Sequence, residues 1–311
     1  MILEIAQFLL VLGLAPLVTG FIRKAKALMQ SRRGPSVLQP YRDLKKLMQK
    51  GSVISKDASW LFNITPYVCI AAVTVAALLV PVLYAGTFGF LGDLVVLIYL
   101  LAMMRFFMAL AALDTGSAFG GMGSSREMYI SSIVEPTMLL SIFAMALVAG
   151  TTSLASISQK IASIGLDLVS PALFLAAAAF FIATLAENSR VPFDNPATHL
   201  ELTMIHEAML LEYSGKQLAL MELASMTKLV VFLAILSNVF FPWGIAVGSD
   251  PIAVAIGALA FLIKIALLAL AIALLESSMA KMRLFRLPNL LTAAFMLSLL
   301  AVVSFYILGV S

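Results

Sequence analysis

Apolar residues in this chain come in long runs rather than in alternation with polar ones. Eight runs reach membrane length, at roughly 5–22, 62–84, 91–113, 128–150, 169–186, 217–241, 251–276 and 288–309. About 20 consecutive apolar residues carry a helix across the hydrocarbon core of a bilayer. The pattern therefore predicts an all-α integral membrane protein with eight transmembrane helices. None of the seven connecting loops is long enough for a separate globular domain, so residues 1–311 are expected to form a single polytopic membrane domain. A polar loop is expected between helices five and six. Composition agrees: 62% of the residues are hydrophobic and 12% charged, a balance foreign to soluble domains. The first run lacks a basic leader and a small-residue cleavage site, so it is expected to be a retained span.

Charge changes the picture by giving the bundle a direction. Loops one, three, five and seven hold sixteen of the twenty Lys and Arg, whereas loops two, four and six hold only Lys160. Arg105, Lys228 and Lys264 fall inside spans. Basic loops stay on the cytoplasmic side, so the odd loops are expected in the cytoplasm and both termini outside, in the cytoplasmic (inner) membrane. The net charge of +4 then reports orientation and does not point to nucleic acid. In loop one, Tyr41, Leu44, Leu47 and Met48 recur at helical spacing, with Arg42, Lys45, Lys46 and Lys50 on the other faces. That pattern fits a helix in the membrane interface, a docking surface for a cytoplasmic partner, or charges that serve topology alone.

Cys69 is the sole cysteine. One thiol cannot hold an iron–sulfur cluster, so redox chemistry is expected on other subunits. No phosphate-binding Gly loop, nucleophile elbow or internal repeat occurs, and no catalytic residue is assigned. His199 and His206 lack metal-site spacing, and His206-Glu207 lacks the second histidine of a zinc-protease motif; no metal site is expected.

Ionisable groups inside a membrane are costly and by default mark a path for charge. Glu135 lies in the fourth span beside Pro136, which removes a backbone donor. It reads either as a proton-carrying carboxylate or as one half of an ion pair between helices, with Arg126 or Arg105 as candidate partners. Lys264 is far from either end of its span, and burial would make it a switchable charge. Glu222 and Lys228 are six residues apart and do not share a face, while Glu276 is expected to pair with Lys281 or Arg283. The densest cluster of carboxylates is the fifth loop, where Glu187, Asp194, Glu201, Glu207 and Glu212 accompany both histidines. Thr198 and Glu201 have capping-box spacing, which predicts a helix from there to Gly215. On it, Glu201 and Glu212 would return to nearly one face, with His206 and Glu207 turned away.

Several motifs resemble one family. Arg33-Gly34-Pro35, then Leu38-Gln39-Pro40-Tyr41-Arg42-Asp43 and Lys45-Lys46-Leu47, are similar to the first cytoplasmic loop of complex I subunit 1. Leu113-Asp114-Thr115-Gly116-Ser117, Ser125-Arg126-Glu127, Val134-Glu135-Pro136 and Glu276-Ser277-Ser278-Met279-Ala280 resemble its hydrogenase branch, the membrane subunits of group 4 nickel–iron hydrogenases. Pro192-Phe193-Asp194 and Glu212-Tyr213-Ser214-Gly215 are common to both branches. The short Ser36-Val37 connection and Ala197-Thr198-His199 favour the hydrogenase branch, whereas Asn188-Ser189-Arg190 is closer to complex I.

The resemblance implies a non-catalytic subunit that anchors a cytoplasmic redox arm and couples electron transfer to H⁺ or Na⁺ movement. Glu135, Glu187, Asp194, Glu201 and Glu212 would be the coupling carboxylates, with Lys264 added from its position within a span. Arg33, Arg42, Asp43, Lys45, Arg126 and Arg190 would serve the redox arm. Implied partners are hydrogenase-like large and small subunits, an iron–sulfur subunit and antiporter-like membrane subunits. The nickel–iron centre and the iron–sulfur clusters would sit on those partners. A quinone-reducing complex I core subunit and a passive membrane anchor are the competing readings.

Overall fold

A computed structural model of the chain describes residues 2–83, 93–164, 171–195, 204–246 and 251–308. The described residues are helical apart from loops and one isolated β-bridge, Asp93 with Ser153. In chain order the helices are α1 (Ile2–Met29), α2 (Gln39–Met48), α3 (Trp60–Leu79), α4 (Leu94–Asp114), α5 (Ala118–Ala149) and α6 (Leu154–Ile164). They continue with α7 (Pro171–Glu187), α8 (His206–Leu210), α9 (Gly215–Ile235), α10 (Pro251–Ser278) and α11 (Leu287–Leu308). Seven are long and apolar enough to cross a membrane, and α7 is a shorter apolar helix between α5 and α11. The eight expected spans are thus all present as helices, and the chain is a multi-pass membrane protein.

Burial, not propensity, decides which helix is central. Every residue from Met226 to Phe240 is buried, and Phe180 of α7 stacks on Phe232 and packs against Phe240. At its far end α9 passes into a π-helical turn, Leu236–Phe240. Around it lie α1, α3 and α10, while α5, α7 and α11 pack on one another at its side. The outermost helices, α10 and α11, leave Ile252, Leu259, Leu267, Leu300 and Ile307 exposed, as apolar surface facing lipid or other subunits would be.

Hydrogen bonds sort the loops onto two ends. At one end Gln7 Oε1 accepts from Val82 and Leu83 N, Leu94 N donates to Thr152 O, and Ala246 N to Leu83 O. At the other, Val53 N donates to Ser214 Oγ (2.7 Å), Ser59 N to Asp114 Oδ2 (2.8 Å) and Met282 N to Pro192 O (3.0 Å). This second end gathers the basic loops. Here Gly215 opens α9 with φ +53°, where a Cβ would stand 2.4 Å from Gly51 O. The Gly215 expected to stop a helix therefore starts one.

Two elements differ from the sequence reading. The polar stretch 114–126 is mostly helix, because α5 begins at Ala118 and runs 32 residues. At about 1.5 Å per residue that length exceeds the ~30 Å hydrocarbon core, so α5 projects from the membrane. Its glycines permit this packing: a Cβ on Gly120 would meet Ala112 O at 2.6 Å, and one on Gly123 would meet Ala208 Cβ at 2.8 Å. Small residues bring the backbones together where the apolar period has faded. Loop four likewise contains α6, an amphipathic helix whose Ser158 Oγ donates to Asn238 O.

Candidate functional site

Three of the buried charges of this bundle, with Glu135, are joined into one row. Arg105 of α4, 3% exposed, reaches Glu187 at the end of α7 with Nη1 and Glu135 of α5 with Nη2. Beyond Glu187 stands Lys228 of α9, its Nζ 2.9 Å from Glu187 Oε2 and donating to the Glu187 carbonyl at 2.8 Å. Four helices thus contribute Lys228, Glu187, Arg105 and Glu135 in sequence. The guanidinium fork suits this bridging role, since it presents separate donors to two carboxylates. The row is dry at one end and open at the other. Glu187 and Lys228 side chains are 1% and 3% exposed, whereas Glu135 is 41% exposed on the outer face of the bundle, in a recess with Tyr99, Met103, Phe106 and Met128.

Of the two readings of Glu135, the ion pair with Arg105 is the geometry observed. A paired carboxylate can still carry charge if its partner can shift between acids, and Arg105 already holds two. Glu127 adds a third. This buried residue of α5 lies within electrostatic reach of Lys228, Glu187, Arg105 and Asp194. The sequence reading did not single it out, although Glu127, Ile130, Val134 and Met138 recur at the spacing of one helical face and all four are buried.

On the basic end, a cavity of about 700 Å³ lies between α1, α9 and the loop after α7, lined by Asn188 and Leu229, the chain neighbours of Glu187 and Lys228. Eight charged side chains line it: Arg23, Lys26, Arg32, Arg190, Asp194, Glu207, Glu222 and Glu276. Asp194, 2% exposed, accepts from Ile205 N (2.9 Å) on one oxygen and from Lys281 Nζ (2.6 Å) on the other. Glu276 is held by Lys26 (3.3 Å) and Arg190 (3.2 Å). The local pairing expected of Glu276 with Lys281 or Arg283 is therefore replaced by long-range ones: α10 packs on α1, and Lys281 turns to Asp194 instead.

The fifth loop also differs from expectation. Over the described part of the predicted Thr198–Gly215 helix, residues 204–214, the helix is α8, five residues long, followed by a turn. Glu201, with Thr198 and His199, lies outside the described residues. Glu212 is exposed in the turn, whereas His206 and Glu207, expected to point away, line the cavity. Burial, aided by Lys228, pushes His206 down to about 4, and its Nδ1 has no hydrogen-bond partner among the described residues. Burial, with Glu222 and Asp194 adding repulsion, pushes Glu207 up to about 7. Desolvation disfavours the charged form of each, so a neutral imidazole and an acid poised near neutrality sit side by side.

The residues expected to serve a redox arm share the basic end but not one role. Arg33, Arg42 and Lys45 are exposed. Asp43 accepts from Gln39 Nε2 at 2.8 Å within α2, Arg126 donates to Met204 O at 3.0 Å, and Arg190 is spent on Glu276. The loop-one helix exists as α2, packed on α1 and α9, with Tyr41 hydrogen-bonded to Gly13 O. Lys264, midway along α10, reaches away from the basic end to oxygens of the π-helical turn and of Phe241 just after it. Among the described residues, no group of three His, Cys, Asp or Glu side chains is gathered to hold a metal.

A family model for NADH dehydrogenase matches residues 3–307, nearly the whole chain. This chain belongs to that family, whose members include complex I subunit 1. It is similar to formate hydrogenlyase subunit 4 of Escherichia coli K12, with 37% identity over 96% of each chain. It is also similar to hydrogenase-4 component C of the same organism, at 35% identity over 96% of this chain and 94% of the relative. In three dimensions it matches a chain of the membrane-bound sulfane sulfur reductase, an archaeal respiratory membrane complex. That match has a TM-score of 0.84 at 20% identity and covers 96% and 97% of the two chains. At that identity the likeness speaks for the shared fold.

Proposed function

We propose that this chain is the membrane subunit of an energy-converting, hydrogenase-type complex. It anchors a cytoplasmic redox arm and links electron transfer to translocation of H⁺ or Na⁺. The observation that carries this reading is the row Lys228–Glu187–Arg105–Glu135, which starts beside the charged cavity and ends on the outer face of the bundle. A buried ion pair is weak evidence for stability, so a four-member row invites a functional account. The cavity, with His206 and Glu207, is the entry, and a change of charge there is felt by Asp194 and Lys228. Arg105 passes it on by moving its hydrogen bonds between Glu187 and Glu135. The half-exposed Glu135 faces the next membrane subunit, an antiporter-like one.

In this reading the whole chain acts as one domain of the cytoplasmic membrane. Arg33, Arg42 and Lys45 on the cytoplasmic end meet the hydrogenase-like large and small subunits and the iron–sulfur subunit. Those partners carry the nickel–iron centre and the clusters. Glu135→Gln keeps shape and removes the titratable charge. The expected result is an assembled complex with donor-to-dye electron transfer intact and ion pumping abolished, measured in inverted vesicles. Unchanged pumping and turnover would hand the case to a passive anchor. The cavity bears on one alternative, a quinone-reducing core subunit. Its eight charged lining residues suit ions and water better than an isoprenoid quinone, whose pocket would be mostly apolar. Lipid extracts of the purified complex distinguish the two.

A further inference from the structure

At the end of the bundle remote from the charged row, Lys264 reaches out of α10 to the π-helical turn that closes α9. Its Nζ donates to Ser237 O (3.1 Å), Asn238 Oδ1 (3.1 Å) and Phe241 O (2.8 Å). An ammonium has three donors and no acceptor, and all three are used. None of the three oxygens is charged, and among the described residues no carboxylate lies within ion-pair distance of Lys264. Ionisable side chains within a membrane pair with one another or with backbone carbonyls; here the partners are two backbone carbonyls and one amide oxygen.

The oxygens are built into place rather than recruited by the lysine. A π-helical turn takes its backbone out of the regular ladder and leaves carbonyls to be satisfied from elsewhere. Asn238, 1% exposed, is clamped by its own amide, whose Nδ2 donates to Pro81 O (3.0 Å) and Val82 O (2.9 Å). Its backbone carbonyl is taken by Ser158 Oγ at 2.7 Å. With the nitrogen committed, Oδ1 must face Lys264. Ser237 is equally buried, at 1%. Three neutral oxygens converging on one positive charge in a partly buried setting have the chemistry of a carbonyl cage, in which such oxygens replace an ion's hydration shell. The ammonium group is close in size to K⁺ and larger than Na⁺.

We propose that Ser237 O, Asn238 Oδ1 and Phe241 O form a binding site for a dehydrated, K⁺-sized monovalent cation, which Lys264 fills with its own ammonium as a tethered ion. The site does not rest on the coupling reading above, since it lies at the other end of the bundle and shares no residue with the row. Its consequence is that the oxygens should accept a free ion once the tether is cut.

The test uses the full chain in detergent, wild type and Lys264→Met, with thermal midpoints compared in choline, Na⁺ and K⁺ chlorides at equal ionic strength. The wild type should show the same midpoint in all three, within about 1 °C. Lys264→Met should be lowest in choline and rise saturably with K⁺ by about 3 °C or more, with a smaller rise in Na⁺. Adding Asn238→Ala should abolish that rise. If Lys264→Met does not fold in KCl, Lys264→Ser is measured in the same way, with room for an ion and a water. The proposal is overturned by a folded variant with no K⁺ response, by a response that prefers Na⁺, or by one that survives Asn238→Ala. Failure of both variants to fold in KCl overturns it as well, because a free ion then cannot replace the ammonium.

Discussion

Arg105 is bound to two carboxylates in very different surroundings, and the difference can be measured. Arg105→Met removes the positive charge from both arms and roughly keeps the volume. On the Glu187 arm both side chains are almost fully buried, at 3% and 1% exposure. Breaking such a pair from one side costs about 3–5 kcal/mol, because the remaining charge stays buried. Lys228 remains on Glu187, which places the expected loss at the lower end, about 3 kcal/mol. The Glu135 arm is different: with 41% of its side chain exposed, Glu135 is screened and its pairing contributes under about 1 kcal/mol. Glu135→Gln should therefore shift stability far less, although it cuts the same bridge. At about 2–4 °C per kcal/mol, Arg105→Met lowers the midpoint of the isolated chain by roughly 6–12 °C, and Glu135→Gln by no more than about 4 °C. Circular dichroism melts in detergent, paired with size-exclusion retention to establish folding, give both values. Equal shifts from the two substitutions, or a loss below about 0.5 kcal/mol for Arg105→Met, would refute the argument that burial sets the weight of each arm.

Three further outcomes are expected. Glu207, raised from 4.5 to about 7, keeps in the folded chain a proton that the unfolded chain loses earlier; its contribution to stability should fall as pH rises from 4.5 through 7, then level off. His206, lowered from 6.5 to about 4, works in the opposite sense over that range, so Glu207→Gln should leave stability rising with pH between about 4 and 6.5, read from melts across pH. Reversing the exposed Arg33 and Arg42 to Glu should release the soluble partner subunits into the wash of a membrane preparation while the membrane chain stays inserted; retention at raised salt would leave these charges to topology alone. A reporter active only in the cytoplasm, fused after Ser311, should stay dark, and a bright fusion would contradict the outward C-terminus read from the loop charges.

What the sequence could reveal followed from how strongly each feature is dictated locally. A lipid-spanning helix must satisfy its backbone within itself, so the spans are written in consecutive residues and could be read one by one. The start of α5 could not, because its first ten residues are held by glycines fitted against α4 and α8, a packing signal with no apolar period. Partners were harder still. Arg105 and Glu187 are 82 residues apart, and Lys26 and Glu276 are 250 apart. The sequence marks each as a charge in need of a mate, and only the helix arrangement names the mate. Glu276 illustrates the error this invites, since the nearest cations along the chain, Lys281 and Arg283, were the wrong ones. The fifth loop failed for a different reason. Placing Glu201 and Glu212 on one shared face assumed that helical phase runs unbroken through the segment. With only five residues helical in α8, phase cannot carry from one carboxylate to the next. There the decisive quantity is burial, and it selects His206 and Glu207 because they begin α8, which packs against α5.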